Sequence, residues 1–495
     1  MKISALFDIL KDDISENNFH GKDYEIKNLA YDSRKALSGG LFVCLPGALT
    51  DGHKYIDACL EKGVSAFIVS DKNVFSKYAY SDADFFLVEN SRKALAQISA
   101  EFFENPAEKL EIIGITGTKG KTSTSYMIKE ILSCRGINIG IIGTVGIFFG
   151  NREEYIDNST PESYELHRIF SEMLKCGVTH VVMEVSSQAL KMYRTYGIKF
   201  SVGIFTNLSP DHIGESEHPD FEDYKRCKGI LFSNCKKAVI NADSQYFDYY
   251  HNIILKNNLP CITFSAKNKD CDFYGHDPVF LTDELLHTSF ILDKCGKIDV
   301  NIPGEFSIYN ALCACAVSSI FGADFCDMKN GLAKVSVLGR AEQVKNPKCN
   351  FSVIIDYAHN ALSLESLFKS VMCYKPNNIF CVFGCGGNRS KLRRYDMGEI
   401  SGKYASLSII TSDNPRFENL DDIICDIISG MKKTDGKYII IKDRQKAIFH
   451  ALSLAKAGDI VLIVGKGNQK YEEIRGEKIF FDEREVVKKY YEQQH

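Results

Sequence analysis

The sequence predicts an α/β fold in three domains, and three observations carry that expectation. Short apolar runs ending in Gly, Ser, Thr, Asn or Asp ("LEIIGIT", "VTHVVMEVSS", "SVGIFTNLSPDH") alternate with longer stretches of helical periodicity. A parallel sheet covered by helices reads this way, with functional residues at the strand ends. The same rhythm restarts after "SVLGRAEQV" (336–344), in "FSVIIDYAHN", "NIFCVFGCGGN", "LSIITSDNPR", "YIIIKD" and "DIVLIVGKGN". At 495 residues the chain is also too long for a single core.

Taken in order, a small α/β domain spans 1–107, with β-like "LFVCLPG", "SAFIVSD" and "DFFLVEN" around helical "HKYIDACLEKG". A central domain, 108–337, opens on the strand "EIIGIT", the turn "GTKG" and the helix "KTSTSYMIKEILS". The last domain, 338–495, begins at the "SVLGR" segment. No short internal repeat or low-complexity stretch interrupts this order.

Composition narrows the function classes. Apolar residues at 45% and charged residues at 25% suit a soluble globular protein. A net charge of −4 speaks against a nucleic-acid partner, which would call for a basic excess. Asp8, Lys11, Asp12 and Asp13 break the N-terminal apolar pattern, so no signal peptide is expected. No uncharged apolar stretch approaches the ~18–20 residues of a membrane span. The 17 cysteines contain no C-x-x-C pair and are expected to be reduced packing residues of a cytoplasmic protein.

The stretch "GITGTKGKTSTSYMI" (114–128) is the first candidate site. Backbone N–H groups in a glycine-rich turn, backed by a helix N-terminus, make an anion cradle. Lys121 would reach terminal phosphates and the Thr122 hydroxyl would ligate Mg²⁺. The strict pattern G-x-x-x-x-G-K-[ST] fails at Ile115, and the glycines fall at 114, 117 and 120. An ordinary glycine-rich turn would also fit the composition, and the strand–turn–helix context favours ATP.

The T-G-T-x-G-K-T pattern of this loop resembles that of the Mur ligases, ATP-dependent amide-forming enzymes of peptidoglycan precursor synthesis. Further motifs of that family recur downstream in order: "NSTPES", "MEVSSQAL", "FTNLSPDH", "DYKRCKGILF", "PGEFSIYNALCA", "LGRAEQV", "DYAHNA", "GCGGNRSKLRR", "DNPR" and "GKGNQ". The first region, "DSRKALSGGLFVCLPGALTDGHKYI", resembles the uridine-binding domain of the member that adds the third residue of the peptide stem.

The resemblance implies a P-loop-type central domain and a Rossmann-like C-terminal one. It implies an ATP-dependent ligase adding a diamino acid to UDP-N-acetylmuramoyl-L-alanyl-D-glutamate through an acyl phosphate, with Mg²⁺ and as a monomer. ATP would be held by Gly117, Thr118, Lys119, Gly120, Lys121, Thr122, Ser123, Asn310, Arg340 and Asp356, with His359 close by. Lys121, Glu184, His212 and Lys228 would be catalytic. Thr122, Glu184, His212 and a carbamylated Lys228 would hold the metal. Ser33, Ser159, Thr160, Ser186 and Arg194 would bind the UDP-muramoyl-dipeptide. Arg394, Asp413, Asn414, Arg416, Gly465 and Gln469 would bind the amino acid. Arg416 favours meso-diaminopimelate, because in the family the arginine of D-N-P-R pairs with a distal carboxylate that L-lysine lacks.

Lys119, Gln188, Ala361 and the pair Asn468-Gln469 depart from the family's Asn, His, Pro and His-Glu. The last departure removes a glutamate that would hold an amino group, which keeps L-lysine or another amino acid open. A folylpolyglutamate-synthase-like ligase and a non-catalytic nucleotide-binding protein are two competing hypotheses. "DSR…DGH" and "DNPR" speak against the first, and the intact phosphate-site residues against the second.

Overall fold

Each apolar run read as a strand is a strand in the computed structural model, which describes residues 1–47, 50–156, 158–211, 213–214, 217–345 and 350–493. The chain folds into two units interleaved in sequence: 1–121 with 136–262, and 122–135 with 263–495.

The first unit carries two sheets. In the N-terminal one, Asp84–Val88, Ala66–Val69, Leu41–Val43 and Leu29–Ala30 run parallel in that order, and Ile14–Asn17 pairs antiparallel with Asp84–Val88. Successive side chains of a strand point to opposite faces. Accordingly, Leu41, Val43, Ala66, Ile68, Phe86 and Val88 pack into one core, and Phe42, Phe67, Val69, Phe85 and Leu87 into another. Both faces are buried, which is why these strands read as unbroken apolar runs.

The other sheet of this unit orders its parallel strands Ala238–Asn241, Val202–Phe205, Glu111–Thr116, His180–Glu184 and Ile139–Gly143. Glu184 lies opposite Ile115 and Phe205 opposite Thr116, so three strands end level with the start of the glycine loop. Antiparallel Gly146–Phe149 and Arg152–Glu154 extend this sheet.

In the second unit, Phe273–Thr282, Leu286–Leu292 and Gly296–Val300 form an antiparallel meander that sequence reading missed. Its pattern is broken by a register shift between His276 and Val279, around Pro278, and Pro cannot donate to a ladder. Gly331, on helix Phe325–Lys334, approaches Ile131 so closely that a Cβ would lie 2.6 Å from its backbone, which explains why residues 122–135 belong with this unit.

The last sheet runs Glu342–Gln343, Ser352–Asp356, Ile460–Val464, Ile379–Phe383, Leu407–Ile410 and Tyr438–Ile440, parallel except for the first strand. Buried Arg444 ties its strand ends to the last helix, donating to both Ser412 O (2.8 Å) and Val464 O (2.9 Å) while paired with buried Glu483.

No disulfide joins the described cysteines, and they are not all packing residues. Cys134, Cys176, Cys295, Cys326 and Cys425 are exposed.

Candidate functional site

The glycine loop is built to approach its neighbours closely. Gly117 and Gly120 have φ of +147° and +85°, where a side chain is strained. A Cβ on Gly117 would lie 2.0 Å from Thr206 Oγ1. The segment after strand Val202–Phe205 pins the loop. Thr118 N donates to Asn207 O (2.9 Å), Lys119 N to Asn207 Oδ1 (2.9 Å), and Thr206 Oγ1 to Lys119 O (2.8 Å). Helix Lys121–Cys134 follows at once, so the loop leads directly into the positive end of a helix dipole.

Two lysines converge on one carbonyl of this loop. Lys121 Nζ donates to Gly117 O (2.9 Å) and Thr118 O (3.1 Å), and Lys228 Nζ donates to the same Gly117 O (3.0 Å). Lys228 is buried and stands over the Tyr224 ring at 4.3 Å. Burial first, and the Lys121 charge second, hold its pKa well below the usual lysine range. The neutral amine so favoured is the form that adds CO₂.

Glu184 is buried at its strand end. Its carboxylate accepts from Thr144 N and Thr144 Oγ1, both at 2.9 Å. A Cβ on Gly143 would meet Glu184 Oε1 at 2.5 Å, so that glycine makes its room. A fixed carboxylate and the Thr122 hydroxyl are hard oxygen donors, and this chemistry suits Mg²⁺. His212 lies outside the described residues.

Thr160, Ser186 and Arg194 come together beside Glu184. Thr160 Oγ1 donates to Glu184 O (3.0 Å) and accepts from Ser186 N (3.0 Å), and Arg194 donates to Thr160 O (2.9 Å). Ser159 is the adjoining, partly exposed residue. Arg194 Nε and Gln188 Oε1 are buried without hydrogen-bond partners among the described residues. Arg194 Nε has the Glu162 carboxylate 3.6 Å away, whereas an unmet atom such as Gln188 Oε1 costs about 1–3 kcal/mol. Ser33 is partly exposed on the N-terminal portion, and its carbonyl accepts from Lys62 Nζ (2.6 Å).

In the second unit, buried Asn310 accepts from Thr124 Oγ1 (3.3 Å) through Oδ1. Asp356 accepts from Ala341 N (2.6 Å) and Ala358 N (2.7 Å), fixing the chain on either side of Arg340 and His359. The Arg340 guanidinium lies 5.0 Å from the Tyr357 ring centre, and that ring packs on His359. Gly339 has a φ of +65°, and a Cβ there would fall 2.2 Å from Asn468 N.

Most of the expected amino-acid residues form one network. Asn414 Nδ2 donates to Gln469 Oε1 (3.0 Å), while Asn414 Oδ1 accepts from Lys466 Nζ (3.0 Å). Gly465 leaves room for Asp413, whose Oδ2 would be 2.7 Å from a Cβ there. Lys466 Nζ is 3.3 Å from Asp413 Oδ1, near enough to attract but too poorly aligned for a hydrogen bond. Arg416 Nε donates to Glu473 Oε2 (3.0 Å) and NH1 to Gly387 O (2.7 Å). Arg394, expected to add a pocket cation, is buried and paired with Glu418 (2.8 Å) and Asp426 (2.9 Å). Its charge is neutralised inside the fold, and it positions the Glu418 loop.

Sequence reading missed Thr144, Lys466 and Glu473. Lys466 lies within the quoted "GKGNQ" and could have been found there. The other two carried no signal, since their partners stand 40 and 57 positions away.

Comparison with known proteins matches residues 25–103 to the Mur ligase family catalytic domain, 115–318 to the Mur ligase middle domain, and 339–467 to the Mur ligase glutamate ligase domain. A Clostridium tetani protein named UDP-N-acetylmuramoyl-L-alanyl-D-glutamate--2,6-diaminopimelate ligase is 38% identical, over 100% of both chains. One of that name (numbered 1) from Clostridium acetobutylicum is 40% identical over 94% of this chain and 95% of its own. A solved structure titled as the same ligase superposes with a TM-score of 0.69 at 27% identity, covering 95% of each chain.

Proposed function

The chain belongs to the Mur ligase family, and on that premise we propose that it is the ATP-dependent ligase joining meso-diaminopimelate to the D-glutamate of UDP-N-acetylmuramoyl-L-alanyl-D-glutamate. The observation that carries the reading is the meeting of Lys121 and buried Lys228 at the Gly117 carbonyl, in a loop where Gly117 approaches Thr206 too closely for any side chain.

A carboxylate cannot accept an amine directly, because oxide is a poor leaving group. ATP therefore converts the D-glutamate carboxylate to an acyl phosphate, releasing ADP. The amino group of the incoming amino acid attacks the acyl carbon, the C–N bond forms, and the C–O bond to phosphate breaks as inorganic phosphate leaves. Phosphoryl transfer depends on positioning and charge neutralisation. The loop N–H groups and Lys121 cradle the phosphates, with Thr118, Lys119, Gly120 and Ser123 shaping the turn. Asn310, Arg340 and Asp356 serve the rest of the nucleotide.

Thr122, Glu184, His212 and carbamylated Lys228 would hold Mg²⁺, which supplies neutralising charge to the phosphates when bound. Ser33 serves the uridine nucleotide, and Ser159, Thr160, Ser186 and Arg194 the muramoyl-dipeptide. Arg394, Asp413, Asn414, Arg416, Gly465 and Gln469 hold the amino acid. The domains run 1–107, 108–337 and 338–495, and the family matches fall within those spans. The protein acts as a cytoplasmic monomer, needing no membrane or nucleic acid. No helix among the described residues is long and apolar enough to cross a membrane.

The test is phosphate release from ATP with the UDP-muramoyl-dipeptide and a panel of amino acids. The highest kcat/KM is expected with meso-diaminopimelate. A higher value for L-lysine would replace the amino-acid assignment, and dependence on a different acceptor would replace the ligase assignment.

A further inference from the structure

Glu473 is placed by backbone pairing rather than by any motif. It lies on strand Tyr471–Ile474, in a hairpin with Glu477–Phe480. Arg416 N donates to Glu473 O (3.0 Å) and Arg475 N to Arg416 O (2.7 Å), so the hairpin edge runs alongside Arg416. Glu473 N also donates to Asn414 Oδ1 (2.9 Å), the amide whose other end holds Gln469. Positions 469 and 473 are therefore fixed by one asparagine side chain.

The ion pair between Arg416 and Glu473 is incomplete in a particular way. Glu473 engages the guanidinium through Oε2 alone, and Arg416 uses only Nε and NH1. Among the described residues, Glu473 Oε1 and Arg416 NH2 make no hydrogen bond. Both side chains are 22% exposed, open to a ligand but partly desolvated. A free cationic donor beside a free anionic acceptor complements a zwitterion. The far end of diaminopimelate is one, with a carboxylate and an ammonium on the same carbon.

We propose that Glu473 is a specificity-determining residue that holds this distal ammonium while Arg416 takes the distal carboxylate. The inference rests on the ligase reading above and supplies the anion that position 469 lacks, where neutral Gln469 stands in place of the family's glutamate. A guanidinium and a carboxylate held in one frame reject a side chain that offers only one of the two charges.

The experiment compares KM and kcat of wild type and Glu473→Gln with two substrates, meso-diaminopimelate and L-2-aminopimelate, which keeps the distal carboxylate but has no distal amine. The variant should raise KM for meso-diaminopimelate at least about tenfold with kcat little changed, and KM for 2-aminopimelate less than about threefold. Gln469→Glu in the same variant should recover much of the loss, because it returns a carboxylate to the site. An equal rise for both substrates would mean that Glu473 merely braces Arg416, and an unchanged KM for meso-diaminopimelate that it does nothing. Either result overturns the inference alone. A wild type inactive with every amino acid overturns the ligase reading, and this inference with it. Should Glu473→Gln fail to accumulate, Glu473→Asp, which withdraws the charge by one methylene, is expected to show the same selective rise, and its absence overturns the proposal.

Discussion

A buried lysine amine is expensive, and Lys228 bears that cost at the carbonyl of Gly117 in the glycine loop. Its lowered pKa favours the neutral amine, and the carbamate proposed for it would put an oxygen-bearing anion beside the glycine loop. Lys228→Ala should lose at least about 100-fold in kcat, as removal of an electrostatic stabiliser does, and short carboxylates such as acetate should restore part of it by occupying the vacated space. Absence of rescue across a carboxylate series, with the variant folded, would count against carbamylation. Arg416 supports a second expectation. Arg416→Ala should raise KM for meso-diaminopimelate about tenfold or more while changing any residual L-lysine turnover little, since lysine offers no carboxylate to lose. Equal loss for both amino acids, read from steady-state rates, would remove Arg416 from substrate selection. At this scale the sequence was legible wherever backbone geometry forces a residue type. Gly117, Gly120 and Gly465 are glycines because a Cβ would collide or the φ is positive. It was silent on the two carboxylates that pair with Arg394, because Glu418 and Asp426 stand 24 and 32 positions away.

At the scale of elements, strands buried on both faces announced themselves, while the Phe273–Val300 meander hid behind Pro278 and a shifted register. Helix Ser163–Lys175 shows a feature that periodicity cannot convey. His167 occupies a core position on it, buried edge-on against Phe170, with Nδ1 lacking a partner among the described residues. An apolar-face histidine is compatible with the helix pattern, but its titration is not neutral in effect. Burial pulls its pKa from 6.5 down to about 4. Between those values the unfolded chain binds one proton more than the folded chain, so stability falls as pH falls through that window and levels off below about 4. The full effect amounts to roughly 3 kcal/mol. His167→Leu should therefore shrink the drop in denaturation midpoint between pH 7 and pH 5 relative to wild type. Parallel pH profiles for the two proteins would show that His167 takes its proton without unfolding.

For the whole molecule, the open question is where the chain can be cut. Contact alone groups residues 263–495 with 122–135, whereas the sequence rhythm and the family match put a boundary near 338. The two divisions make opposite demands on a fragment. Residues 338–495 hold a complete six-stranded sheet, a core of their own around Val353, Ile355, Val382, Ile409 and Ile463, and the Arg444–Glu483 pair. They are also about the length of one ordinary domain, ~100–150 residues. Their contacts to the preceding meander include polar ones. Gln343 exchanges two hydrogen bonds with Leu286, both 2.7 Å, and the Tyr374 hydroxyl meets Thr288 Oγ1 (3.1 Å). Water can replace those groups after a cut. Residues 263–495 alone would instead strip helix Phe325–Lys334 of the segment packed on Gly331, leaving backbone and apolar surface that water does not satisfy. The fragment 338–495 is expected to be soluble, to give dispersed amide resonances and to melt in one cooperative transition, while 263–495 should be less soluble and melt broadly. Calorimetry of both fragments decides between the divisions. A 338–495 fragment without a cooperative transition would show that the meander and the last sheet form one indivisible unit.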